Sequence, residues 1–191
     1  MTPSVSPLPD NAKRVFKGEI FEVWQWPQKM YDGSTHTFER VKRPNTVQII
    51  AVIGDKILIQ EQQQPDRSRP YFSFPGGRCD EGEQPLASAQ RELLEETGLT
   101  SSDWELWSER RPVAKMEWII YTFIAKNCVQ QKEPHLEAGE KITNRLITFD
   151  EFLRLPDDPD FYDSWMAMLL IKAQHDRQAA EKLHHQLFNK T

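Results

Sequence analysis

Several features are scarce in this 191-residue chain, and each scarcity excludes a class of protein. Cysteine occurs only at Cys79 and Cys128, too few for a disulfide framework or a four-cysteine zinc site, so a reducing cytoplasm is the expected compartment. The longest apolar runs, residues 118–125 and 165–171, are far shorter than the roughly 20 residues that cross a bilayer. The N-terminal segment MTPSVSPLPD lacks the apolar centre of a secretory signal. We therefore expect a protein with no membrane partner.

Basic charge is not in excess either. The formal net charge is −5 at pH 7, with 24 basic against 29 acidic residues, which argues against a dedicated nucleic-acid-binding protein. Hydrophobic residues make up 38% and charged residues 28%, a balance typical of a soluble globular domain. The acidity is local, because residues 77–99 contain six acids and only two arginines. A local excess of acid indicates a site.

The chain length fits one domain with extensions. Runs of β-branched and aromatic residues between turn signals predict strands at residues 19–26, 37–42, 46–53, 56–60, 118–125 and 145–149. Apolar residues at helical spacing predict helices over 85–98, 150–155 and 163–187. This mixture predicts an α+β architecture. We divide the chain into a flexible arm (1–15), an N-terminal strand hairpin (16–45), a core (46–155) and a C-terminal helix (156–191).

The first predicted helix places three carboxylates on one face. Glu92 and Glu96 are four residues apart and Glu95 is three from Glu92, while Leu93 points toward the core. Like charges at this spacing cost an isolated helix about 0.2–0.5 kcal/mol per pair. Arg91 offsets part of the repulsion, and a divalent cation would offset more; oxygen ligands suit Mg²⁺ or Mn²⁺ rather than zinc. The alternative interpretation is a solvated acidic helix face.

Residues 77–99 read GRCDEGEQPLASAQRELLEETGL and resemble the Nudix box at every signature position. The resemblance implies the Nudix fold, a mixed β-sheet sandwiched between helices (α/β/α), here with an N-terminal β-hairpin extension and a C-terminal helix. It implies a metal site formed by the carboxylates of Glu92, Glu95 and Glu96 and the carbonyl of Gly76. It also implies supporting roles for Gly77, Glu83, Arg91 and Gly98.

The order of elements across residues 16–170 resembles the branch of ADP-ribose and nucleotide-sugar pyrophosphatases. In that branch a glutamate in a late loop often assists the attacking water, and the resemblance gives this role to Glu140 first and Glu137 second. With Glu95, these are the predicted catalytic residues. The N-terminal strands of that branch often help to build a homodimer, which is the expected assembly.

The chain departs from that branch at its phosphate contact. Gln64 stands where the branch often has an arginine, so Arg67, Arg69 or Arg43 would have to take over. Trp118 is a candidate for stacking on a base. The candidate substrate contacts are therefore Arg43, Gln64, Arg67 and Trp118.

The resemblance implies Mg²⁺-dependent hydrolysis of the pyrophosphate bond in a nucleoside diphosphate joined to another moiety. The expected substrate is ADP-ribose or a nucleoside diphosphate sugar, which would yield a nucleoside monophosphate and a sugar phosphate. Two alternatives stay open: a non-catalytic nucleotide-binding sensor of the same fold, or an enzyme for dinucleoside polyphosphates or non-canonical nucleoside triphosphates. The intact set of carboxylates favours an enzyme, because a sensor has no need to tolerate their repulsion.

Overall fold

The computed structural model describes residues 7–136 and 138–189. The strands are β1 (Lys13–Lys17), β2 (Glu22–Lys29), β3 (Thr35–Lys42), β4 (Thr46–Ile53), β5 (Lys56–Gln63), β6 (Tyr71–Ser73), β7 (Leu99–Thr100), β8 (Asp103–Arg110), β9 (Met116–Glu117), β10 (Ile120–Lys126), β11 (Val129–Gln130) and β12 (Lys141–Ile147). The helices are α1 (Pro85–Thr97), α2 (Phe149–Leu153), α3 (Ser164–His175) and α4 (Arg177–Phe188). A single 3-10 turn (Leu155–Asp157) links α2 to the C-terminal helices.

The central sheet is mixed. Its strand order is β12-β5-β4-β10-β8, with β6 added to β5. Strands β4 and β10 run parallel, and the other neighbours are antiparallel. The β4–β5 hairpin turns at Gly54-Asp55, as its sequence predicts, and pairs only next to the turn, at Val52↔Ile57 and Ile53↔Lys56. Beyond the turn the two strands separate, with β6 paired to β5 and the carbonyls of Pro75 and Gly77 hydrogen-bonded to β4.

Alternate residues of β4 face two separate cores. Val47, Ile49 and Ala51 pack in the cluster that contains Leu93 of α1. Ile50 and its neighbours on the other face pack in the cluster that contains residues of α2, α3 and α4. Strand β4 is buried on both sides because helices cover both faces of the sheet. The predicted α+β fold, a mixed sheet between helices, is confirmed.

An N-terminal extension forms its own four-stranded sheet, in the order β1-β2-β3-β9. Short strand β9 pairs in parallel with the end of β3, and the side chain of Arg40 on β3 forms an ion pair with Glu117 on β9. These contacts attach the extension to the rest of the domain. Strand β1 begins at Lys13, so the last residues of the predicted flexible arm 1–15 are in a strand.

Short strands β1, β7, β9 and β11 are absent from the sequence prediction, and two longer elements differ from it as well. Strand β8 was not predicted, because its sequence DWELWSER mixes charged residues with tryptophan and leaves both faces half-buried. The single helix predicted over 163–187 is wrong, since the chain breaks at Asp176 (φ −130°, ψ 105°) into α3 and α4. The Asp176 carboxylate accepts hydrogen bonds from the first N–H groups of α4, so an N-cap ends one helix and starts the next. Leu183 and Leu187 then fold back onto α3.

No helix in the described ranges is long and apolar enough to cross a bilayer.

Candidate active site

Helix α1 carries the acidic face, and its ends follow from its sequence. Pro85 lies in the first turn, where its missing N–H is not needed, and Gly98 ends the helix in the left-handed conformation (φ 71°). Leu93 is fully buried against the sheet, which fixes the rotation of the helix. As a result Glu92 and Glu96 face the turn at Gly76-Gly77.

Glu96 is the most deeply buried of the three clustered carboxylates, with 3% of its surface exposed. The Gly76 N–H donates to Glu96 Oε2 at 2.9 Å, and Gln60 Nε2 donates to the same oxygen at 3.3 Å. Burial, together with the negative charges of Glu92 and Glu140, raises the pKa of Glu96 to about 8, although the hydrogen bonds from Gly76 and Gln60 lower it in part. Two neutral donors therefore do not compensate the charge of this carboxylate.

Glu92 lies one helical turn before Glu96 on the same face of α1, and its carboxylate packs closely against the backbone of Gly77. Burial raises the pKa of Glu92, and Arg91, whose Nη1 lies 2.9 Å from Glu92 Oε1, partly lowers it. A Cβ atom on Gly77 would lie only 2.5 Å from Glu92 Cδ. Glycine at this position is therefore required for the close approach of the carboxylate to the turn.

Glu83 and Arg91 form a separate ionic cluster at the start of the box. Arg91 Nη2 lies 3.1 Å from Glu83 Oε2 and donates to the Arg78 carbonyl at 3.0 Å. The hydrogen bonds from Arg91 and then from Ser88 lower the pKa of Glu83 to about 2. Arg91 Nη1 also contacts Glu95 Oε2 at 3.1 Å. Arg91 thus ties the loop that precedes α1 to the acidic face of the helix.

The turn that faces Glu96 is held by strand β4. The Ile49 and Val47 N–H groups donate to the carbonyls of Pro75 and Gly77 at 2.8 and 2.9 Å. Because carbonyls alternate in direction along an extended segment, we expect the Gly76 carbonyl, between these two, on the side away from β4. On that side the Gly76 N–H meets Glu96, and a carbonyl there could serve as a ligand.

The donors present here fit a hard divalent cation. They are carboxylate and carbonyl oxygens, and a cation would neutralise the uncompensated charge of Glu96. Within residues 7–136 and 138–189, no three His, Cys, Asp or Glu side chains already form a metal-binding group. Arg91 Nη1 contacts both Glu92 and Glu95, at 2.9 and 3.1 Å, whereas neither of the donors to Glu96 is charged.

Glu140 lies near the acidic face, although it is distant in sequence. Its negative charge raises the pKa of both Glu92 and Glu96. The structure therefore brings the loop before β12 to the carboxylates of α1. Glu137, the second candidate in this loop, lies outside the described residues.

Arg67 is held on the rim of the site by two aromatic rings. Its guanidinium carbon lies 4.2 Å from the ring centres of both Tyr71 and Tyr162, and these residues line a cavity of ≈ 460 Å³. Glu96 contributes to the electrostatic environment of the Tyr71 hydroxyl, so this rim is close to the acidic cluster. Gln64 is exposed, and only its backbone carbonyl is used here, as the acceptor of the Arg67 N–H at 3.0 Å.

Arg43 and Trp118 form a second pair, in a different place. The Arg43 guanidinium lies 4.5 Å from a Trp118 ring centre, and Trp118 Nε1 donates to Thr46 Oγ1 at 3.1 Å. Both residues line a cavity of ≈ 630 Å³ between the N-terminal sheet and the loop that leads to Glu83. Among the described residues, Arg43 Nε is buried without a hydrogen-bond partner. Arg69 pairs with Asp160, with Nε 3.2 Å from Oδ1.

The polar residues behind Glu96 were not among the predicted site residues. Gln60 and Gln62 are buried on the face of β5 that also carries Leu58. Tyr71 and Asn144 hydrogen-bond to these two amides. The available signal is that both glutamines continue the alternate, inward positions of the strand after Leu58.

Comparisons with known proteins agree with this geometry. The family model described as NUDIX domain matches residues 42–169. An "ADP-ribose pyrophosphatase" of Bacillus subtilis is 25% identical over 155 residues, which cover 80% of this chain and 84% of the relative. A "Methanol dehydrogenase activator" of Bacillus methanolicus is 28% identical over 156 residues, with the same coverage. A solved structure titled "Crystal structure of ADP compounds hydrolase" superposes with a TM-score of 0.71 at 20% identity, covering 88% of this chain and 94% of that one.

The fold, the acidic face of α1 and these matches define the class: a hydrolase that acts on phosphoanhydride bonds. The matched domain covers most of the chain, and the chain belongs to the Nudix family. The predicted resemblance is thereby confirmed, including the likeness to a pyrophosphatase along most of the chain.

Proposed function

We propose that this Nudix hydrolase cleaves the pyrophosphate bond of ADP-ribose or a nucleoside diphosphate sugar, with Mg²⁺ or Mn²⁺ as cofactor. The observation that carries the proposal is the buried Glu96 carboxylate, whose charge has no cationic partner within residues 7–136 and 138–189. Similarity over most of both chains to a pyrophosphatase for ADP-ribose supports the substrate class. The products would be a nucleoside monophosphate and a sugar phosphate.

Four groups would hold the cation: the carboxylates of Glu92, Glu95 and Glu96 and the carbonyl of Gly76. When bound, the cation supplies neutralisation of the pyrophosphate oxygens and a lower pKa for water. Glu140 would accept the proton from the attacking water, because it is near enough for its charge to raise the pKa of Glu92 and Glu96. Glu137 is the second candidate for that role. The water oxygen forms the new bond to phosphorus, and the bridging oxygen leaves with the other phosphate.

Two basic positions support binding of an anionic substrate. Arg67 is fixed between two rings, so its orientation is set before a phosphate arrives, and we propose it as the phosphate contact in place of Gln64. Arg43 and Trp118 would contact the second half of the substrate, from the cavity beneath the N-terminal sheet. Arg67→Ala should raise the KM for the substrate about tenfold, since a charged hydrogen bond contributes about 1.5–3 kcal/mol.

The deciding experiment is a substrate panel. The purified chain is incubated with Mg²⁺ and ADP-ribose, several nucleoside diphosphate sugars, a dinucleoside polyphosphate, an oxidised nucleoside triphosphate and a 5′-triphosphorylated RNA. Added phosphatase reports any phosphomonoester product. Strongest turnover of ADP-ribose or a nucleotide sugar supports the proposal, whereas a preference for any of the last three contradicts it.

A regulatory role is the second candidate. It is favoured by the similarity, over 80% of this chain and 84% of the relative, to the protein named "Methanol dehydrogenase activator". Tight binding of one panel member, with no turnover at any metal concentration, would support this candidate and remove the first. The RNA in the panel tests a shorter similarity, 35% identity over 104 residues to an "RNA pyrophosphohydrolase" of Francisella tularensis, which spans 62% of that relative.

We also propose a homodimer formed through the N-terminal sheet. Val15, Phe16, Ile20 and Phe21 expose between 40% and 57% of their surface on this extension. Light scattering should give twice the mass of one chain, and Phe16→Asp should halve it. A monomeric unchanged chain would contradict the dimer. The cytoplasmic location and the absence of a nucleic-acid partner stay predictions.

A further inference from the structure

A line of hydrogen bonds runs behind the acidic face of α1. Tyr71 Oη donates to Gln62 Oε1 at 3.1 Å. Gln62 Nε2 donates to Gln60 Oε1 at 2.7 Å, and Gln60 Nε2 donates to Glu96 Oε2 at 3.3 Å. The line starts at the rim of the cavity that contains Arg67 and ends at the most buried carboxylate of the site.

The chemistry of the terminal carboxylate fixes the direction of this line. With a cation bound, Glu96 would be ionised and could only accept hydrogen bonds, which requires Gln60 to present its amide nitrogen to Glu96, as it does here. Its amide oxygen then faces Gln62, which must in turn present nitrogen and leave its oxygen to the Tyr71 hydroxyl. Burial raises the pKa of Tyr71, so its hydroxyl keeps the proton that it donates.

Asn144 of β12 holds the inner end from a second side. Gln60 Nε2 also donates to Asn144 Oδ1 at 3.2 Å. Asn144 Nδ2 donates to the backbone carbonyl of Glu96 at 3.0 Å. The carboxylate and the backbone of Glu96 are therefore both bound to one connected set of amides.

Core packing alone does not explain these amides. Gln60 is fully buried and Gln62 is 9% exposed, on a strand whose other inward residues are aliphatic. Aliphatic side chains of similar size would fill the same space without the desolvation of four polar atoms. What the amides add is a fixed orientation for the carboxylate at the end of the line.

We propose that Tyr71, Gln62 and Gln60 are positioning residues that hold the Glu96 carboxylate ready for a divalent cation. This inference rests on the proposed function for the role of Glu96 as a metal ligand. Groups that orient metal ligands through hydrogen bonds change metal affinity about 10–100-fold when they are lost. The effect should decrease with distance along the line, largest for Gln60 and smallest for Tyr71.

Tyr71→Phe is the sharpest test, because it removes one hydroxyl and keeps the ring beside Arg67. Tyr162→Phe is the matched control, since Tyr162 is the other ring beside Arg67 but is not part of the line. Mn²⁺ affinity is measured directly by electron paramagnetic resonance, without nucleotide. Tyr71→Phe should weaken Mn²⁺ binding about threefold, Gln60→Met should weaken it about tenfold or more, and Tyr162→Phe should leave it unchanged.

A second readout separates positioning from general destabilisation. With substrate, Tyr71→Phe should raise the Mg²⁺ concentration for half-maximal rate and leave kcat at saturating Mg²⁺ close to that of the unchanged chain. Equal Mn²⁺ affinity in Tyr71→Phe and Tyr162→Phe would overturn the inference, whether or not Gln60→Met folds. Mn²⁺ binding without hydrolysis of any panel substrate would instead remove the proposed function and leave the positioning result standing.

Discussion

Two glutamates of the same sequence motif have opposite environments. Glu83, in the loop half of the box, is surrounded by donors from Arg91 and Ser88, and its pKa falls to about 2. Glu96, in the helix half, is buried with only two neutral donors, and its pKa rises to about 8. Both residues are carboxylates in one compact motif, yet the fold compensates the charge of one and not of the other.

This difference in environment distinguishes a glutamate that stabilises the fold from a glutamate that is suited to bind a ligand. The charge of Glu83 is satisfied by the protein itself, so its contribution is to the stability of the loop. Glu96 is placed where ionisation is unfavourable unless a cation arrives, so the fold carries an energetic cost there. An uncompensated buried charge of this kind is a better guide to a ligand site than the number of acids along the chain.

We expect the largest effect on activity from a substitution of Glu96, in the helix of the motif. Glu96→Gln keeps the shape of the side chain but removes the charge that would hold the cation, so kcat should fall about 10³-fold or more. Steady-state kinetics on the best panel substrate measure the loss, with Glu81→Gln, an exposed glutamate of the same motif, as the control. Near-normal turnover in Glu96→Gln would remove Glu96 from the metal site.

The same variant should change the pH dependence of stability. A folded pKa of about 8 against 4.5 in the unfolded chain means that the folded state binds the extra proton between these values. Without metal, the free energy of unfolding of the unchanged chain should therefore fall as pH rises from about 5 to 8, whereas that of Glu96→Gln should not. The difference between these two changes should reach about 2–5 kcal/mol. Urea unfolding at several pH values measures it. A gap that is independent of pH would contradict the burial argument.

Glu83→Gln removes the compensated charge in the loop of the motif, and we expect it to lower the stability of the fold. Arg91 loses its ionised partner, and the free energy of unfolding at pH 7 should fall by about 1–3 kcal/mol. Since the pKa of Glu83 is lowered in the fold, the stabilisation is present above about pH 4.5 and is lost as pH falls toward 2. The unchanged chain and the variant should converge in acid. A constant difference across this range would mean that Glu83 acts through packing alone.

We expect the smallest effect from a substitution of Gly77, in the turn that faces Glu92. Gly77→Ala puts a methyl group where the Glu92 carboxylate now lies, so the carboxylate must move away from the turn. Mn²⁺ affinity should fall about tenfold. Gly139→Ala is the control, because its new Cβ would meet no atom within 4 Å. Equal affinities in both variants would show that the close approach of Glu92 to Gly77 has no bearing on the cation.

Local patterns in the chain predicted the elements that depend on near neighbours. Strand β4 spans Thr46–Ile53, as its β-branched run predicts, and α1 begins at Pro85 and ends before Gly98, as its end signals predict. The break at Asp176 was missed because the apolar spacing continues across it. A capping residue inside a helical pattern is ambiguous until packing decides whether the chain turns back.

Some features of the candidate site likewise follow from local sequence, and others depend on the tertiary structure. The positions of Glu92, Glu95 and Glu96 on one face follow from the helical repeat alone. The sandwich of Arg67 between Tyr71 and Tyr162 joins residues far apart in sequence, and no local pattern contains it.

The sequence by itself determined the family, the acidic helix face and the preference for oxygen-bound cations, because these depend on residue type and on a fixed helical spacing. Only the tertiary structure decided that Glu96 is the uncompensated charge and Glu83 the compensated one, and that buried amides of β5 lie behind Glu96. The physical reason is that burial and hydrogen bonding set the energy of a charge, and both come from residues that the chain brings together only when it folds.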